Sequence, residues 1–229
     1  MVCLQGTEDP WMETNTVTIK PLLIVVAVII FIEAVTGYLL FREQYHPMII
    51  MGLERITQVF LMVLIILTWG GGLPSLGLSY PAIMPGFKKG LIWSASVGAV
   101  TILALVVVFI AGGDPFTWIH TDLPSGRTDL LLFFLVGGII APVAEEVFFR
   151  GVLYGFFRRW GVRAALVLST VLFVLSHPLG YGIPWPQIMG GMLFAVAYEM
   201  TGSLMTPIIL HVLGNLAIFS IPLISRIAL

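Results

Sequence analysis

The amino-acid sequence predicts an all-α fold, a polytopic transmembrane bundle of about seven helices (six to eight). Three observations predict it. The 229 residues are 59% hydrophobic and 10% charged, with mean hydropathy +1.04, whereas soluble domains carry about 25% charged residues. The apolar runs are continuous and reach the ~20 residues that cross a bilayer. None shows the alternating ten-residue segments of a membrane β-barrel.

Residues 1–19 are polar and irregular. Met12 reads as a natural start, with the residues before it an appended segment, and no cleavable signal peptide is evident. The remainder, 20–229, reads as one membrane-embedded domain. A single cysteine, Cys3, excludes an intramolecular disulfide and a Cys-rich metal cluster. Net charge −1 without a basic tract gives no reason to expect a nucleic-acid partner.

The first helix is predicted over 20–41, with Glu33 as a buried inter-helix hydrogen-bonder. His46 falls in the short loop that follows. The second helix is predicted over 48–69, with Glu54 and Arg55 in its early turns near the interface, and Gly70-Gly71-Gly72 ends it. Residues 73–85 are rich in Gly and Pro, so they read as too broken to span and as lying along the interface. Lys88-Lys89 precedes a third helix over 90–110, stopped by 112–115. The polar loop up to Asp129 holds Trp118, His120, Asp122 and Arg127, read as solvated rather than ligating. Helices four to seven are predicted over 130–157, 162–176, 187–200 and 203–221. The sixth is short, and its Gly190-Gly191 pair allows close approach. With a cytoplasmic N-terminus, Lys20, Lys88, Lys89, Arg158, Arg159 and Arg163 lie inside and Arg42, Arg127 and Arg226 outside; this excess favours that orientation.

The stretch Ala141-Pro-Val-Ala-Glu145-Glu146-Val-Phe-Phe-Arg150 lies inside the fourth apolar segment. An ionised side chain at hydrocarbon depth costs at least about 2.5–3.5 kcal/mol, so such residues usually have partners and a task. Glu146 and Arg150 are four apart and share a helix face. Glu145 is rotated about 100° from Glu146. Arg150 can therefore neutralise Glu146 and leave Glu145 free to titrate; the same residues also fit a purely structural ion pair.

His177, His211 and Asn215 are the other polar groups set in apolar C-terminal helices. Counted from the helix ends on one side, Glu145, His177 and His211 lie about 18, 22 and 12 Å deep. These overlapping layers allow one shared cavity. Phe173 and His177 share a helix face, as do His211 and Asn215. Such a set suits amide hydrolysis without a covalent intermediate. The carboxylate takes a proton from water. One imidazole helps hold that water, and the second imidazole and the amide donate to a developing oxyanion. Two His and one Glu are also a zinc ligand set. Glu145, His177 and His211 thus equally permit metal-assisted hydrolysis with Glu146 as base or ligand, although no cofactor is demanded.

Three motifs occur in order: Glu145-Glu146-Val-Phe-Phe-Arg150, Phe173-Val-Leu-Ser-His177 and His211-Val-Leu-Gly-Asn215. In these the chain resembles the CPBP intramembrane proteases, named for CAAX proteases and bacteriocin-processing enzymes and also called the Abi family. The resemblance covers about residues 130–219. It implies an intramembrane endopeptidase in which Glu145 activates water, His177 shares it, and His211 and Asn215 stabilise the oxyanion. Glu146, Arg150 and Phe173 become supporting residues, and the water is activated without metal. The family's type II CAAX prenyl endopeptidases remove the three residues after a prenylated cysteine, and other members process bacteriocin-like peptides or act in immunity. Expected partners are a peptide or lipidated protein substrate and the lipid bilayer, with the oligomeric state unknown. Two other classes stand beside this: a non-catalytic scaffold or immunity relative, which has no need of the full polar set, and a proton relay, which the lack of an inverted repeat disfavours.

Overall fold

The computed structural model describes residues 17–113, 121–177 and 183–228, with side chains to residue 223. Cys3, Met12, Trp118, His120 and residues 178–182 lie outside the described residues. The elements are helices throughout. They are α1 (Ile19–Phe41), α2 (Pro47–Trp69), α3 (Tyr80–Ile110), α4 (Arg127–Trp160), α5 (Val162–Leu175), α6 (Trp185–Thr201) and α7 (Met205–Ala228). All seven expected helices are present, and the chain is an integral multi-pass membrane protein.

Five of these segments have the length and apolarity to cross a membrane by themselves: α1, α2, α4, α7 and the run Leu73–Ile110 that contains α3. Helices α5 and α6, with 14 and 17 residues, reach only about 21 and 25 Å at 1.5 Å per residue. They pack against each other as a short hairpin, with α5 leaving Val167, Val171 and Leu175 exposed on its outer side. The seven helices agree with the expected membrane bundle, five of them being long and apolar enough to span by themselves among the described residues.

The segment 73–85 also departs from its reading as interfacial. Helix α3 starts at Tyr80 rather than Gly90. Pro81 sits in the first turn, where no intrahelical N–H is needed, and Pro85 follows early enough to remove a single ladder bond. Side chains at the start of α7 fasten this extension: Ser203 Oγ donates to Ala82 O at 2.9 Å, and Thr206 Oγ1 donates to Gly86 O at 3.0 Å. A Cβ on Gly90 would come within 2.7 Å of Ile209 Cβ, so glycine sets how closely α3 and α7 approach. Leu73–Leu76 forms one 3-10 turn that inserts the fully buried Leu76 into the core. Gly77, at φ +73°, then turns the chain and accepts Leu204 N–H at 3.0 Å.

Chain direction alternates. Arg159 Nη2, at the end of α4, donates to Val17 O before α1 at 2.7 Å. On the opposite side, His46 between α1 and α2 meets Asp129 in the first turn of α4 at 2.7 Å. Helices α1 and α2 are joined by a polar network that runs from exposed Glu33 to buried Glu54. Arg55 Nη1 donates to Glu33 Oε1 at 3.0 Å, and Gln58 Nε2 donates to Glu33 Oε1 and Glu54 Oε1, each at 3.1 Å. Glu33 bonds across helices as expected, but it is not buried: its side chain is 48% exposed, because it lies on the open side of the α1–α2 pair. Glu54, expected near the interface, is buried at 6% exposure. Helix α4 is the hub, contributing Ala144, Phe149, Val152 and Tyr154 to the core.

Candidate functional site

Helix α4 departs from α-helical hydrogen bonding on both sides of Glu145 and Glu146. Residues Val136–Ile140 and Val147–Tyr154 are π-helical, flanking the α segment Ala141–Glu146. The first departure has a cause in the sequence. Ala141 N–H bonds Val136 O in the wider register, so Gly137 O would next call on the amide of Pro142, which has none. Asn215 Nδ2 from α7 serves that carbonyl at 3.0 Å. Glycine permits the approach: a Cβ on Gly138 would lie 2.6 Å from Leu216 Cδ2.

One turn further on lies a buried ion pair. Glu146 and Arg150 are both 0% exposed. Arg150 Nη1 donates to Glu146 Oε1 at 2.8 Å, as the four-residue spacing predicts. Arg150 Nη2 donates to Gly191 O of α6 at 2.8 Å, and the guanidinium lies 4.6 Å from the Phe173 ring centroid. The same Glu146 oxygen meets His211 Nδ1 of α7 at 2.7 Å. An ionised carboxylate only accepts, so this contact places the proton on Nδ1. Glu146 therefore does more than neutralise Arg150, because it also joins α4 to α7 through an imidazole.

Glu145 points elsewhere. Its Oε2 lies 3.8 Å from His177 Nε2 and 3.9 Å from His211 Nε2. Both distances exceed a direct hydrogen bond and suit a bridge by one small molecule such as water. Glu145 and His177 keep side-chain exposures of 20% and 25%, against 6% for His211. The group is therefore reachable on the His177 side and closed behind His211. His177 follows the end of α5, and its Nδ1 meets Phe173 O at 2.7 Å, a contact that leaves Nε2 turned to Glu145. The Phe173 ring lies between the two histidines, with centroids 4.6 Å from His177 and 6.0 Å from His211.

The structure thus brings Glu145, His177 and His211 together, with Glu146, Arg150 and Phe173 directly behind them. Asn215 is one turn beyond His211, and its Nδ2 is engaged by Gly137 rather than by the other polar groups. A carboxamide nitrogen carries two N–H groups, so one more donor remains on it. Among the described residues no three His, Cys, Asp or Glu side chains have the arrangement of a metal site. The zinc set Glu145, His177 and His211 is thus not preassembled for a metal ion, and the chemistry below takes no step through one.

Two residues of α6 escape sequence reasoning. In the sequence Gly191 reads only as a close-approach position. It is one, since a Cβ there would meet Phe173 Cδ1 and Thr170 Cγ2 at 3.1 Å, but its carbonyl also anchors Arg150. Phe194 stacks on His211 with centroids 4.4 Å apart and planes 23° apart. One more aromatic in an apolar helix gives no signal of such a role.

Comparison with known proteins gives a consistent picture. Residues 127–217 match the family described as type II CAAX prenyl endopeptidase Rce1-like. Over 127 residues, half of this chain, the sequence is 29% identical to an uncharacterized 24.3 kDa protein of Escherichia coli, covering 57% of it. At the same identity and length it matches the membrane-embedded CAAX protease MroQ of Staphylococcus aureus, covering 49%. The aligned stretch spans about half the length of these relatives. No solved structure matches.

Proposed function

We propose, for a chain whose residues 127–217 match the type II CAAX prenyl endopeptidase Rce1-like family, the activity of an intramembrane endopeptidase acting on a membrane-associated peptide. The observation that carries this is the facing of Glu145 Oε2 by the Nε2 atoms of His177 and His211 at 3.8 and 3.9 Å. In the proposed reaction a water held by Glu145 and His177 loses a proton to Glu145 as its oxygen attacks the scissile carbonyl. His211, with Nδ1–H given to Glu146, donates from Nε2 to the developing oxyanion in its imidazolium form. The second N–H of Asn215 is the companion donor. Collapse of the tetrahedral intermediate breaks the C–N bond, and the proton held by Glu145 passes to the leaving amine.

The family match supports a prenylated C-terminal peptide as the first substrate class to test; the second is the bacteriocin-like peptide that the resemblance in the three motifs implies. The purified protein in liposomes is incubated with a farnesylated CAAX peptide and its unprenylated counterpart, and products are read by mass. Release of the terminal tripeptide, lost in Glu145→Ala and His177→Ala proteins that remain folded, is the expected result. Full cleavage by either variant overturns the assignment of roles.

A further inference from the structure

Helix α6 carries none of the three motifs, yet it supplies one wall of the His211 environment. His211 is held in two directions. In the ring plane, Nδ1 meets Glu146 Oε1 at 2.7 Å. Out of the plane, the ring stacks on Phe194 at 4.4 Å between centroids and 23° between planes. A carboxylate at Nδ1 selects the tautomer but leaves the imidazole free to pivot about that bond. A parallel aromatic face removes the pivot, because rotation would break ring contact along the whole edge. Phe194 is itself fixed: it is 8% exposed, and the Arg150 guanidinium lies 5.4 Å from its centroid. Arg150 is in turn tied to Gly191 O, three residues before Phe194 on α6. The same short helix thus holds the cation that balances Glu146 and the ring that lies against His211.

We propose that Phe194 is a positioning residue for His211: together with Glu146 it fixes the imidazole plane that aims Nε2 at Glu145. The kinetic part of this inference rests on the endopeptidase reading, whereas the orientation of the ring does not. Phe194→Leu keeps an apolar side chain but removes the flat face. Phe194→Tyr keeps the face.

The test labels the four histidines with 15N in the full chain in nanodiscs and assigns His211 by its loss in His211→Asn. The wild-type protein is expected to show one sharp Nδ1–H resonance pattern for His211. Phe194→Leu is expected to broaden or split it, and to lower kcat on the farnesylated peptide about 10- to 100-fold with KM little changed, the scale of an ångström-level misplacement. Phe194→Tyr is expected to restore both. A wild-type His211 pattern in Phe194→Leu, or a Phe194→Tyr protein as impaired as Phe194→Leu, overturns the proposal. If His211→Asn keeps full turnover, the assigned role of His211 in proteolysis falls, while the resonance data still decide the positioning of the ring.

Discussion

Nδ1 of His211 lies 2.7 Å from Oε1 of Glu146, the same oxygen that Arg150 Nη1 reaches at 2.8 Å. One carboxylate oxygen therefore serves a cation on its own helix and an imidazole on another. This divides the adjacent glutamates by task. Glu146 is fully buried and holds the helices together, while Glu145 keeps 20% exposure and faces the histidines.

The first prediction concerns Glu146. Removing one partner of a buried pair leaves an uncompensated charge, at a cost of about 3–5 kcal/mol. Glu146→Ala is expected to melt well below wild type in detergent and to be depleted from the membrane fraction. Glu146→Gln keeps an acceptor for both donors and is expected to lose less stability. Equal melting of Glu146→Ala and wild type would show that the pair carries no structural weight.

Glu145 is expected to behave in the opposite way. Among the described residues it accepts no direct hydrogen bond, and the Nε2 atoms of His177 and His211 lie 3.8 and 3.9 Å from its Oε2. Glu145→Gln should therefore melt close to wild type, because the change keeps the side-chain shape and breaks no direct hydrogen bond. Its turnover should fall about 10²- to 10⁴-fold, the usual loss on removing a general base. Melting curves and peptide cleavage measured on the same preparation check both halves. A variant that both unfolds and loses activity would not bear out this division.

Much of this site is legible in the sequence, because ionisable residues are scarce in these helices. The Glu146–Arg150 spacing specifies a pair on one face, and the depths of Glu145, His177 and His211 permit their convergence. What escapes has physical reasons. The contact between Glu146 and His211 joins residues 65 apart, and no local periodicity encodes it. Pro85 reads as a helix breaker, but the α3 ladder tolerates it near the N-terminus while Ser203 and Thr206 fasten the backbone from α7. Helix α5 looks like a span because it is apolar, and its 14 residues are what separates it from one; α6 is shorter than the spans as well and carries Gln187 and Glu199.

A third prediction addresses metal. Glu145, His177 and His211 lack the preassembled arrangement of a metal site. Turnover is expected to survive dialysis against a strong chelator, and elemental analysis of active protein should find less than stoichiometric zinc. Loss of activity on chelation, with recovery on adding zinc, would overturn the water-only mechanism.

The fourth prediction couples two residues through a backbone carbonyl that neither of them owns. Gly137 O is left without its ladder donor because Ala141 N–H turns to Val136 O and Pro142 has no N–H; Asn215 Nδ2 takes that place at 3.0 Å. Asn215→Ala should therefore leave a part-buried acceptor without its donor, at up to about 1–3 kcal/mol. Pro142→Ala supplies an amide in the five-residue register that Gly137 O calls for, so it should make Asn215 less necessary. The two effects are then non-additive: Asn215→Ala destabilises the Pro142→Ala background less than the wild type, with a coupling of about 0.5–3 kcal/mol. Denaturant melts of the four proteins of this cycle measure that coupling directly and need no substrate. Strict additivity would mean that Asn215 owes its place on α7 to something other than the carbonyl that Pro142 leaves open.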